Sequence, residues 1–141
     1  MRFEQSVEVE AQQQRVWDVL SDVAAWPKRI ETVDSVELLT PAPLAVGSRL
    51  RLKQPKLGEG MWDVTIWDAP SYFELRQESS SITSVAGHRV EALEEGRSRL
   101  TLSLDMHGPL IPVALFFRGL TNRYMTNEAQ GLKLAAESAE R

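Results

Sequence analysis

The residue best placed for acid–base chemistry is His88, because its neighbours at alternate positions, Ala86 and Val90, are apolar. An unperturbed histidine has a pKa near 6.5, so it can donate or accept a proton close to neutral pH. The same residue could instead be a hydrogen-bonded structural histidine or a polar anchor for a ligand. We keep both interpretations open and take His88 as the candidate catalytic residue. The second histidine, His107, precedes Gly108-Pro109 in a predicted loop and is the weaker candidate.

A second group of polar residues lies on the predicted C-terminal helix, where Asn127 and Glu128 fall within the stripe formed by Tyr124 and Gly131. A few polar groups among apolar walls typically orient a ligand in a cavity. Alternatively, Glu128 pairs with an arginine and Asn127 bonds to the backbone, since buried polar groups are normally satisfied within the protein.

The composition excludes several kinds of chemistry. The chain has no cysteine, which rules out disulfides, a thiol nucleophile and thiolate metal sites. With two histidines it is short of residues for a zinc centre or a Ser-His-Asp triad, and it has no phosphate-binding glycine loop. We therefore expect no metal and no cofactor. A net charge of −4 gives no general electrostatic signal for a nucleic-acid partner or an anionic membrane.

The 141 residues predict a single domain, residues 1–141. The apolar pattern predicts a first strand over residues 3–10, a helix from Gln12 to Ser21 and a second short helix closed by Trp26-Pro27. Further antiparallel strands are predicted over residues 32–39, 48–54, 60–67, 72–79, 82–93 and 97–107. One long helix should follow from Pro112, with an apolar stripe at Val113, Phe117, Leu120, Tyr124, Gly131 and Ala135. The result is an α+β domain with the helix laid across the sheet.

Alternation along the strands predicts which side chains face this helix. The inward set is overwhelmingly apolar and comprises Trp62, Val64, Ile66, Phe73, Leu75, Ile82, Ser84, Ala86, His88, Val90, Leu100, Leu102, Leu104 and Met106. The acidic strand residues Asp63, Glu74, Glu91 and Asp105 fall on the opposite face. The basic residues Arg49, Arg51 and Lys53, with Lys56 nearby, are interpreted as a solvated outer face.

Trp17 and Trp62 fit the core pattern, whereas Trp26 and Trp67 lie near segment ends, where they either line an entrance or pack in the core.

The longest apolar run, residues 110–117, is too short to span a bilayer and contains Pro112. The alternating N-terminal segment does not resemble a signal peptide. We expect a soluble, cytoplasmic protein that does not span a membrane; its oligomeric state stays open.

Several segments resemble one known family. Residues 16–22 (VWDVLSD), Trp26-Pro27 and residues 36–39 (VELL) resemble the N-terminal signature of the START-like, birch-pollen-allergen-like SRPBCC superfamily, and more narrowly its polyketide cyclase/dehydrase and lipid-transport family. Residues 87–91 (GHRVE) and 98–101 (SRLT) resemble that family's final strands, and residues 128–133 its closing helix. The resemblance implies the helix-grip fold, a curved antiparallel sheet wrapped around the C-terminal helix with a hydrophobic cavity between them.

Three functions are compatible with these observations. The first is binding or transport of a small hydrophobic ligand, such as a lipid, isoprenoid or polyketide. The second is a cyclase or dehydratase that uses His88 as acid or base, and the third is a protein-interaction module that uses a sheet edge or the loop over residues 56–60. The predicted ligand cavity is lined by Trp26, Trp62, Ile66, Phe73, Ser84, His88, Leu102, Leu104, Phe117, Tyr124, Asn127 and Glu128.

Overall fold

The computed structural model describes residues 1–55, 58–79 and 81–138, so Lys56 lies outside the described residues. Within them, seven strands form one antiparallel sheet in the spatial order β1-β7-β6-β5-β4-β3-β2. The strands are β1 (Arg2–Val9), β2 (Ser35–Leu38), β3 (Arg49–Gln54), β4 (Gly58–Asp68), β5 (Tyr72–Glu78), β6 (Thr83–Ala92) and β7 (Ser98–His107). The predicted strands and their antiparallel pairing are confirmed, with ends that differ by a few residues.

Two α-helices follow β1 in the sequence, and two follow β7. They are α1 (Gln13–Ser21), α2 (Trp26–Arg29), α3 (Ile111–Ala114) and α4 (Arg118–Ser138). A 3₁₀ turn, Leu115–Phe117, separates α3 from α4, so the prediction of one continuous helix from Pro112 is wrong. Trp26-Pro27 opens α2 instead of closing a helix, because proline is tolerated in the first helical turn.

A β-bulge in β4 changes which side chains of that strand face inward. The register of β4 against β5 shifts between Val64 and Ile66. Before the shift, Val64 is 1% exposed; after it, Trp67 pairs with Phe73 and Ile66 is 40% exposed. A bulge adds one residue to one strand, and that residue inverts the alternation beyond it. The prediction that Ile66 faces inward is therefore wrong.

The C-terminal half of α4 fixes that helix on the protein. Ala129, Leu132 and Ala136 are buried in the core, and the Lys133 Nζ donates a hydrogen bond to the Glu8 carbonyl oxygen at 2.7 Å. A Cβ atom at Gly131 would overlap the carbonyl oxygen at the end of α2, so glycine permits the close approach. The N-terminal half of α4 is consequently held over the opposite end of the sheet.

The basic residues of β3 lie on the solvated outer face of the sheet, as predicted, and the structure adds that the two arginines form ion pairs there. Arg49 contacts Asp63 at 2.8 Å, and Arg51 contacts Glu37 at 2.7 Å. Exposed pairs of this kind contribute about 0–1 kcal/mol each, so this face contributes little to stability. Among the helices described, none has the length and apolar character needed to cross a membrane.

Candidate functional site

A cavity of about 270 Å³ lies between the sheet and the N-terminal half of α4, and it is partly open to solvent. Its sheet side is mostly apolar, with Leu52, Trp62, Leu75, Ala86, Leu102, Leu104 and Met106. Its helix side is one stripe at the spacing i, i+3, i+4, i+7, namely Thr121, Tyr124, Met125 and Glu128. Ligand sites typically enclose about 300–1,000 Å³, so this cavity suits a compact ligand.

The other end of the inner face is solidly packed. Trp17 of α1 meets Trp67 edge-on at a ring-centroid distance of 5.3 Å and Phe73 at 5.7 Å. Val16 and Leu20 of the same helix are also buried there. Trp67 therefore packs in the core and does not line an entrance.

Three aromatic rings, two of them stacked and the third tilted, separate the solid half from the cavity. The His88 ring lies parallel to that of Phe73, with 4.3 Å between centroids and 5° between planes. The Trp26 ring lies 5.7 Å from His88, and the Trp26 Nε1 donates to the Leu20 carbonyl oxygen at 3.0 Å. Phe73 is fully buried behind His88 and does not contact the cavity. The prediction that Phe73 lines the cavity is therefore wrong.

His88 is a neutral side chain in this structure. It is 3% exposed, and within the described part of the chain its Nδ1 has no hydrogen-bond partner. Burial lowers the pKa of His88 from 6.5 to about 4, because the charged imidazolium would lose its hydration. The acidic strand residues point to the other face; Asp63, for example, pairs with Arg49. His88 is therefore uncharged at neutral pH.

Glu128 faces the same cavity from α4. Burial raises the pKa of its carboxyl from 4.5 to about 7. Among residues 1–55, 58–79 and 81–138, Glu128 has no ion-pair partner within 4.0 Å, so the alternative that an arginine neutralises it is not observed. At neutral pH a substantial fraction of this carboxyl is protonated and can donate a hydrogen bond.

Tyr124 links α4 to the hairpin formed by β3 and β4. Its hydroxyl donates a hydrogen bond to the Pro55 carbonyl oxygen, and the side chain is 9% exposed. Its ring lines the cavity, while its hydroxyl proton is already used within the protein. Tyr124 therefore closes one side of the cavity and is less suited than Glu128 to proton transfer.

The structure brings eight of the predicted cavity residues together and places four elsewhere. The wall includes Trp26, Trp62, Ser84, His88, Leu102, Leu104, Tyr124 and Glu128. The four residues outside it are Ile66, Phe73, Phe117 and Asn127. Phe117 lies in the 3₁₀ turn, which rotates it away from the α4 stripe and leaves it 53% exposed. Asn127 is half-buried and adjacent to Glu128 in the helix. Adjacent helical residues point about 100° apart, so Asn127 does not face the cavity.

Sequence reasoning missed several lining residues. Thr121 and Met125 precede Glu128 by seven and three positions, a helical spacing that could have identified them from Glu128. Gln54 and Gln77 continue the inward alternation of their strands beyond Leu52 and Leu75. Glutamine is typical of exposed positions, so the sequence did not indicate that these two residues line a cavity.

His107 is exposed at the end of β7 and takes no part in the cavity. In the described segments, no three histidine, aspartate or glutamate side chains come together as possible metal ligands.

The comparisons with known proteins agree with this geometry. Structures similar to this chain include the Zhui aromatase/cyclase from Streptomyces sp. R1128, with 19% sequence identity, a TM-score of 0.83 and coverage of 100% of this chain and 96% of that one. A START superfamily protein from Mycobacterium smegmatis has 18% identity and a TM-score of 0.77, with 98% of each chain covered. Norcoclaurine synthase from Thalictrum flavum has 13% identity and a TM-score of 0.81, covering 100% of this chain and 96% of that one.

These similarities confirm the helix-grip fold. No curated protein matches the chain. The family model described as "Polyketide cyclase / dehydrase and lipid transport" matches residues 1–137. This chain, with its sheet wrapped against a C-terminal helix, therefore belongs to the polyketide cyclase/dehydrase and lipid-transport family.

Proposed function

We propose that the protein binds a compact, mainly apolar ligand that carries a hydroxyl or carbonyl group. The observation that supports this most directly is the cavity of about 270 Å³, whose mostly apolar walls include His88 and Glu128 among their polar residues. Neither of these side chains forms an ion pair within the described part of the chain. A ligand hydroxyl or carbonyl group placed near them would receive the hydrogen bonds that the protein itself does not use.

The walls supply affinity and the two polar residues supply orientation. Burying apolar ligand surface contributes roughly 25 cal/mol per Å² before the costs of association. A neutral imidazole and a partly protonated carboxyl add directional hydrogen bonds without requiring an opposite charge on the ligand. The proposed ligand class is therefore a small aromatic polyketide or isoprenoid with one polar end. A lipid with two long acyl chains exceeds the volume of the cavity.

A paired substitution tests this proposal. Ala86 lies on the cavity wall, so Ala86→Phe should fill the cavity and reduce ligand binding at least tenfold. Its neighbour Val85 faces the outer side of β6, beside Arg89 and Thr101, and Val85→Phe is the control. Binding is measured by native mass spectrometry and by the fluorescence of Trp26 and Trp62, against fatty acids, isoprenoids and aromatic polyketides. If no compound binds at micromolar concentration, the ligand-binding proposal fails.

Catalysis of a cyclisation or dehydration in the same cavity is the second candidate function. An acid–base group works best when its pKa lies near the operating pH. The pKa of Glu128 near 7 meets this condition, whereas His88, with a pKa near 4, is a weak base. We therefore propose Glu128 as the proton carrier and His88 as its hydrogen-bonding partner on the substrate, which changes the role expected for His88 from sequence.

This second candidate makes a separate prediction. On a polyketide-like substrate, Glu128→Gln should reduce kcat at least a hundredfold while the substrate still binds. His88→Phe should weaken binding and turnover together, since it removes a hydrogen-bonding group. Normal turnover by the Glu128 variant would exclude this acid–base assignment.

A solid interior without a cavity would have favoured the third hypothesis, a protein-interaction module, over the other two. The cavity favours the two ligand-based functions over it.

A further inference from the structure

The segment between β7 and α4 exposes an unusual amount of apolar surface. Over residues 110–117, which we call the apolar lobe, Phe116 is 88% exposed and Phe117 53%. Leu110, Val113 and Leu115 are each between 43% and 49% exposed. The lobe packs chiefly on itself and on the beginning of α4. Folded proteins rarely leave contiguous apolar surface of this kind without a partner.

The segment of chain that contains the lobe differs in charge from the protein as a whole. Although the chain has a net charge of −4, residues 106–127 contain no aspartate or glutamate and include Arg118 and Arg123. Both arginines are exposed, and neither forms an ion pair with a described residue. Arg118 directly follows the apolar lobe, and Arg123 lies further along α4.

The lobe also lies at the end of the cavity. Met106, four residues before the lobe, and Thr121, four residues after it, both line the cavity wall. A partner that covered the lobe would therefore meet the protein next to the cavity.

We propose that the apolar lobe docks on the surface of a lipid bilayer that contains anionic headgroups. Exposed aromatic and aliphatic side chains insert at the boundary between headgroups and acyl chains, and adjacent basic residues bind the anionic lipids. A second copy of the chain is a poorer occupant, since its lobe segment carries the same arginines and supplies no carboxylate to pair with them. This proposal concerns a surface outside the cavity and does not depend on the proposed ligand.

Vesicle flotation with the full chain tests the proposal. The protein should float with vesicles of 70:30 phosphatidylcholine:phosphatidylglycerol and bind vesicles of phosphatidylcholine alone more weakly. High salt should reduce binding to the mixed vesicles, because exposed charges are screened. Phe116→Ser should weaken partitioning at least about tenfold, as expected for a phenylalanine that leaves an apolar environment. The double substitution Arg118→Glu and Arg123→Glu should weaken it by about thirtyfold or more.

The matched control is Leu134→Ser. Leu134 is 63% exposed on α4, outside the lobe, so this variant should bind vesicles like the unmodified protein. Circular dichroism checks that each variant is folded. The absence of binding to the mixed vesicles at millimolar lipid would overturn the proposal, as would binding that does not depend on Phe116. A Phe116-dependent dimer in light scattering would instead assign the lobe to a second copy, and that result would also overturn it.

Discussion

Replacing Glu128 by glutamine should change how the stability of the protein depends on pH. Burial raises the pKa of this carboxyl from 4.5 to about 7. Between these values the unfolded chain has released a proton that the folded protein still holds, so stability falls as pH rises. Each tenfold change in an ionisation equilibrium corresponds to about 1.4 kcal/mol, which gives a loss of up to about 3 kcal/mol by pH 8. Glu128→Gln removes this loss.

His88 produces the opposite slope. Its pKa is 6.5 in the unfolded chain and about 4 in the folded protein, so between these values the unfolded chain binds a proton that the folded protein does not bind. Stability therefore rises with pH over this window, again by up to about 3 kcal/mol. From about pH 4.5 to 6.5 the two slopes overlap and largely cancel. Glu128→Gln should reveal the rise due to His88, and His88→Phe, which retains an aromatic ring against Phe73, should reveal the fall due to Glu128.

The assay is urea unfolding followed by tryptophan fluorescence at intervals from pH 4.5 to 8.5. The difference in unfolding free energy between Glu128→Gln and the unmodified protein should be near zero at pH 4.5 and approach about 3 kcal/mol at pH 8. Glu91→Gln, which changes an exposed carboxylate on the outer face of β6, is the control and should give no such trend. Parallel pH profiles for Glu128→Gln and the unmodified protein would refute the reasoning, because they would mean that the carboxyl ionises alike in both states.

Three further substitutions test the architecture around the cavity. In α4, Gly131→Ala should destabilise the protein by about 1–3 kcal/mol, because the added Cβ overlaps the end of α2. Gly119→Ala, whose added Cβ meets open space, should be neutral or stabilise the protein by up to about 1 kcal/mol. Equal effects of the two substitutions in urea unfolding would contradict the close packing of α4 on α2. On β4, Val64→Thr should cost about 1–3 kcal/mol and Ile66→Thr less than about 0.5 kcal/mol, and the reverse order would disprove the bulge. Tyr124→Phe should lower the unfolding free energy by about 1 kcal/mol and accelerate amide hydrogen exchange in the β3–β4 hairpin, because it removes the hydrogen bond to Pro55. Unchanged stability and exchange would show that this hydrogen bond does not form in solution.

The strands were the most predictable part of the molecule. β7 alternates apolar and polar residues along most of its length, and the structure places Leu100, Leu102 and Leu104 on the inner face as predicted. A strand that buries one face has a period of two, and this period is readable without any knowledge of its neighbours. Ile66 is the exception, because a single extra residue in β4 reversed the alternation, and nothing in the local pattern indicates that residue.

The C-terminal helix was less predictable for a related reason. Val113 and Phe117, in the apolar run from Leu110 to Phe117, fall on the predicted apolar stripe, and the periodicity therefore placed them facing the sheet. Periodicity gives the face of a helix but not whether a partner lies opposite it. In the structure the 3₁₀ turn interrupts the helix, so Phe117 and its neighbours project outward while Tyr124, Met125 and Glu128 face the sheet.

The sequence by itself determined the strands, the helical C-terminus, the family and the polar candidates His88 and Glu128. These follow from local periodicity and from residues that resemble a known pattern. Only the tertiary structure decided that one half of the inner face is solidly packed and the other half lines a cavity. This depends on where α1 packs against the sheet and on how closely Gly131 lets α4 approach α2. It also decided the charges of His88 and Glu128, because a pKa responds to burial by segments that are distant in sequence.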